Sequence, residues 1–125
     1  MKAIKITIEG NISVMELPND QPLYVSVRAE IGGRMEHVRP RGLDDPYCMI
    51  VDEEGLLKNL PLNAVGSILY GTAEHGCPIV GDILIMQDGF RDGEPDIVGL
   101  DDQDAEFLSE MLMMLKELTG NEKAV

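Results

Sequence analysis

The chain has no tryptophan and only 4% aromatic residues, so its interior must be built from aliphatic side chains, with eight methionines supplying some of the adaptable volume that rings usually fill. Only two cysteines are present, Cys48 and Cys77, far apart and in no CxxC pair, which gives no disulfide framework and no zinc-finger spacing. No apolar run approaches the roughly 18 residues of a membrane span. The opening MKAIKITIEG alternates polar and apolar residues, where a signal peptide would need an unbroken apolar stretch. The sequence therefore reads as a cytoplasmic protein without a membrane segment. Bases are also scarce: 10 Lys and Arg stand against 23 Asp and Glu, a formal charge of −13. That charge repels nucleic-acid backbones at long range and favours basic partners, so direct nucleic-acid binding is not expected.

What is present suits one globular core. At 125 residues, 44% hydrophobic and 26% charged, the chain has the size and balance of a single domain, expected over residues 1–120 with a short tail at 121–125. Lys2 to Ile8 alternates, Glu9 to Asn11 supplies a turn, and Ile12 and Val14 continue the pattern, predicting a hairpin. Residues 23–31 fit both periods, since Leu23, Val27 and Ile31 have helical spacing while Leu23, Val25, Val27, Ala29 and Ile31 alternate. Helix is favoured because Asp20 and Pro22 resemble a cap and first-turn proline and Gly32 and Gly33 a stop. A strand from Arg34 to Arg39, a buried strand from Tyr47 to Asp52, a helix over Leu62 to Tyr70 and a strand from Ile79 to Met86 follow. Asp88 to Leu100, punctuated by Gly89, Gly93, Pro95 and Gly99, reads as a surface loop. Asp101 caps a last helix with a Leu108, Met111, Leu112, Leu115, Leu118 stripe, ended by Gly120. The fold class is α+β, with a single small antiparallel or mixed sheet and about three helices.

Two charge features dominate the surface. Residues 88 to 106 carry eight acids against one base, Arg91, and within them Asp92, Glu94, Asp96, Asp101 and Asp102 form the expected contact for a basic partner. As a calcium loop the run fails: with Asp92 first, Ile97 falls where glycine is needed and Gln103 where the bidentate glutamate belongs. Part of it, Asp101 to Glu106, is explained by the helix dipole alone. The opposite pole gathers four of the five arginines into fourteen residues, Arg28 to Arg41, with His37 among them. Solvation and pairing with neighbouring acids account for it in bland terms. The functional alternative is a pocket for a nucleotide or another anion built from Arg34, His37, Arg39 and Arg41, with Tyr47 or Tyr70 as a stacking face.

No catalytic constellation stands out. His75 and Cys77 are neighbours in sequence, which is not evidence of a dyad. Cys48 lies in an apolar run and reads as a small core residue. His37 has no second histidine at ligand spacing, so no metal or other cofactor is expected. There is no GxSxG elbow, HExxH, phosphate loop or GxGxxG turn. The reading is a non-enzymatic protein. Its apolar C-terminal stripe, with Met111, Met113 and Met114, leaves open a homodimer.

MKAIKI, GGRMEHV, and the block from Tyr47 to Met86 containing VDEEGLLKNLPLN, ILYGT and PIVGDILI together resemble an uncharacterised family of small domains, a domain of unknown function of phages, plasmids and integrated elements of bacteria. The resemblance assigns no catalytic residue. It implies a mobile-element setting, in which small acidic proteins act against host defences, and hence a counter-defence protein that binds a host protein with a basic surface.

Overall fold

A computed structural model describes residues 1–124; the side chains of residues 75 and 119–124 lie outside the description, and so does the His75–Cys77 pairing. The expected class holds. Six antiparallel strands form one open sheet: β1 (Lys2–Ile6), β2 (Ile12–Glu16), β3 (Met35–Val38), β4 (Tyr47–Asp52), β5 (Ile83–Arg91) and β6 (Glu94–Val98). Their order is β2-β1-β5-β4-β3, with β6 pairing the outer half of β5. The described residues also form four helices, α1 (Leu23–Ile31), α2 (Ala64–Tyr70), the single-turn α3 (Thr72–His75) and α4 (Asp102–Ala124).

The two-residue period of the strands sends alternate side chains to two separate cores. Ile4, Ile6, Met49, Val51, Ile83 and Ile85 face α2 and α4, which contribute Val65, Leu69, Leu108 and Leu112. Ala3, Cys48, Ile50, Leu84 and Met86 face α1, which contributes Val27 and Ile31. The central strands are therefore apolar on both faces, which is why Tyr47–Asp52 reads as a continuous run. Between Pro61 and α2, Asn63 is fully buried: its Oδ1 caps the Gly66 N–H at 2.9 Å, and its Nδ2 donates to the carbonyls of Ile6 at 3.0 Å and Gly81 at 2.9 Å, tying the helix start to the sheet.

Helix is the correct reading of residues 23–31, closed by Gly32 in the left-handed conformation. Its start differs from expectation, because Pro22 itself occupies the cap position and no side chain, Asp20 included, caps it. Gly120 does not stop α4, which runs to Ala124; a glycine costs a helix only about 1 kcal/mol. The largest correction concerns Asp88 to Leu100. This segment is not a loop but the outer half of β5, a turn and β6. Asp92 (φ 52°) and Gly93 (φ 81°) both take positive φ at the turn, as a two-residue hairpin connection requires. Pro95 is tolerated because β6 pairs only with β5 and leaves its other edge open.

Candidate functional site

α1 is only nine residues long and cannot cover its whole face of the sheet. At the far end from its Gly32 terminus, three strands bring polar side chains together. His37 on β3 lies opposite Ile50 of β4, Cys48 lies opposite Met86 of β5, and Asp88 is two residues beyond Met86. All three thus point to the α1 face, with their ligand-type atoms within 4.8 Å of one another. His37 Nε2 is 2.7 Å from Asp88 Oδ1. Arg39, just past the end of β3, lays its guanidinium against Asp88 Oδ2 as an ion pair and donates to Asp45 Oδ1 at 2.9 Å. The Asp88 backbone N–H donates to the Pro46 carbonyl at 2.7 Å, which fixes the strand beneath the carboxylate.

His37, Arg39 and Asp88 form one wall of a hollow of about 510 Å³, open to solvent and lined also by Phe90, Pro95 and Ile97 of the β5–β6 ribbon, while Cys48 lies buried behind them. Burial pushes the Asp88 carboxyl up, but the His37 hydrogen bond and the charges of His37 and Arg39 outweigh it and hold the group below its ordinary value. The Cys48 thiol goes the other way. Burial first, then the Asp88 charge and hydrogen bond, push it up to about 12, which favours the neutral thiol over the thiolate.

The remaining residues of the expected anion pocket do not converge here. Arg34 pairs with Glu53 at 3.5 Å, and Arg41 pairs with Glu74 of α3. Tyr47 points through the sheet to the α4 side, where burial and the Asp104 carboxylate push its phenol up. Tyr70 lines a separate small crevice. Only His37 and Arg39 share a site, because β3 ends at Val38 and the chain turns away through Pro40 before Arg41.

The acidic run is likewise divided. Asp92, Glu94 and Asp96 sit at or near the tip of the ribbon, whereas Asp101 and Asp102 lie past the other end of β6, at the start of α4. Asp101 Oδ1 caps the Asp104 N–H at 2.7 Å, Asp102 pairs with Lys2 at 2.9 Å, and Asp96 pairs with Arg91 at 3.1 Å. Asp92 and Glu94 have no ion-pair partner among the described residues. Two members of the cluster, Cys48 and Asp88, escape a reading of local spacing, since 11 and 51 positions separate them from His37; only the strand register joins them.

No helix among the described residues is long and apolar enough to cross a membrane. No curated protein and no solved structure matches the chain. A family model, described as a domain of unknown function (DUF3846), matches residues 1–113, which takes in every strand and the first half of α4. The chain therefore belongs to the DUF3846 family of uncharacterised domains.

Proposed function

We propose that the chain is a non-enzymatic, cytoplasmic interaction module that binds a host protein with a basic surface, and that it serves counter-defence in a phage or mobile element. The observation that carries this reading is the β5–β6 ribbon. Phe90 stands on it 75% exposed, and Asp92 and Glu94 at its tip are free of ion-pair partners among the described residues. An exposed aromatic ring can contribute buried area to an interface, and unpaired carboxylates beside it can steer and orient a basic partner. The phage and counter-defence setting is what the resemblance of the sequence implies. The anion-pocket alternative lacks comparable support, since Arg34, Arg39 and Arg41 are each engaged by an acid.

The test is capture of partners from a bacterial host lysate by the tagged protein, at low and at high salt, with mass spectrometry of what is retained. A stoichiometric partner should be released at high salt and lost from both Phe90→Ser and the double variant Asp92→Lys, Glu94→Lys. Phe90 is exposed, so its replacement leaves the fold intact. A partner held equally by all three proteins overturns the assignment to the ribbon.

A further inference from the structure

The cluster of His37, Cys48 and Asp88 has a chemistry that the protein-binding reading does not use. An imidazole nitrogen, a thiol sulfur and a carboxylate oxygen from three adjacent strands face one point. This is a donor set that zinc accepts, at about 2.0–2.3 Å from each atom. Tetrahedral placement at those bond lengths puts donor atoms about 3.5 Å apart, so the present separations, 2.7 Å for His37 to Asp88 and up to 4.8 Å within the cluster, bracket the requirement. The adjustment falls on His37 and Asp88, whose side chains are 35% and 30% exposed, while Cys48 is held fixed in the core. Asp88 Oδ2 adds a second observation. It is buried and has no hydrogen bond of regular geometry; the Arg39 guanidinium holds it as an ion pair, and Arg39 has a second acid, Asp45, to turn to.

We propose that His37, Cys48 and Asp88 form a three-residue site for a borderline-soft divalent transition-metal ion of the zinc or cobalt class, with the fourth coordination position open to the hollow beside Phe90. On binding, the Cys48 S–H bond breaks, its proton leaves to solvent and sulfur forms the metal bond. His37 gives up the Nε2 proton that it shares with Asp88, to solvent or by tautomer shift to Nδ1, and the freed Nε2 lone pair forms the metal bond, while Asp88 supplies one oxygen. Thiolate and carboxylate together neutralise the divalent charge, and neutral imidazole completes the set. Arg39 keeps its second partner, Asp45, at the rim. The fourth position is taken by water, the pattern of a site with three protein ligands. The β-sheet supplies the rigidity: ligands on adjacent strands are placed by register, not by loops.

Cobalt(II) is the probe, because thiolate and tetrahedral coordination each have an optical signature. Cys77 is exposed and would add its own signal, so the Cys77→Ser protein is the reference. One equivalent of cobalt should produce a thiolate-to-metal charge-transfer band with intense visible transitions, and zinc should bleach both. The band should vanish in the further variant Cys48→Ala. His37→Ala, at a partly exposed position and with its fold checked by circular dichroism, should weaken binding at least about tenfold, the lower bound seen even for outer-shell partners. A spectrum without charge transfer at saturating cobalt, a band that persists without Cys48, or unchanged affinity without His37 overturns the site. Partner capture by the ribbon is unaffected by any of these outcomes.

Discussion

Asp52 and Asp88 stand on the same face of the sheet, at opposite ends of the β4–β5 pair, and the protein treats them differently. Asp52 has 1% of its side chain exposed and is satisfied by its own turn: Oδ1 accepts the Glu54 N–H at 2.9 Å and Oδ2 accepts Lys58 Nζ at 2.7 Å. Asp88 is 30% exposed and depends on His37 and Arg39, about 50 residues away in sequence. Both carboxyls sit below their ordinary value, in each case because hydrogen bonds and positive charge outweigh burial. A carboxylate closed by neighbours in its own turn, with both oxygens bonded and almost no exposure, is a structural element. One held by side chains from other strands can exchange them, which is the condition for a ligand site.

The strongest way to break this comparison is stability. Asp52→Ala removes two charge-assisted hydrogen bonds from a buried position and should cost about 2 kcal/mol, whereas Asp88→Ala should cost less than about 1 kcal/mol. Urea unfolding of the two variants measures the difference, and equal losses would abolish it. Acid titration sharpens the comparison. A group whose folded pKa is depressed adds stability that is complete above its unfolded value, near 4, and disappears as pH falls through the lower folded value. Melting temperature should therefore decline below about pH 4, and Asp52→Asn should flatten that decline because one fewer carboxylate takes up a proton on unfolding. The smallest effect belongs to Arg39→Ala. Its guanidinium is 58% exposed, and removing it should shift stability by about 0.5 kcal/mol or less, leaving the His37–Asp88 contact in place.

The strands and helices that carry the core were legible from alternation in the first hairpin, from an unbroken apolar run at the centre of the sheet and from a stop signal at the end of α1. Tyr47–Asp52 is read to the residue, and the helix at 23–31 is resolved by Gly32, whose left-handed conformation only a stop explains. Residues 88–100 were misjudged for a physical reason. Glycine, proline and acids signal a loop, but Asp92-Gly93 between Phe90 and Ile97 is equally the signature of a tight hairpin, and a proline on an edge strand breaks no ladder. The metal-type cluster was not legible at all. Cys48 reads correctly as a buried core residue, and nothing in its neighbourhood along the chain announces His37 or Asp88. Juxtaposition across three strands depends on register, which a single sequence specifies only after the sheet order is known.

β5 outlasts β4: beyond Asp88 it pairs with β6 alone, so one side of residues 89–91 and the outer side of β6 remain open backbone. Such margins invite growth of one sheet onto another between molecules. Here the invitation is refused by charge and by chain chemistry, since Asp92, Glu94 and Asp96 repel their own copies and Pro95 withholds a donor. The same carboxylates that we propose attract a basic partner should thus disfavour self-association along this edge. Acidification or strong salt, by silencing them, should weaken that protection together with the proposed attraction.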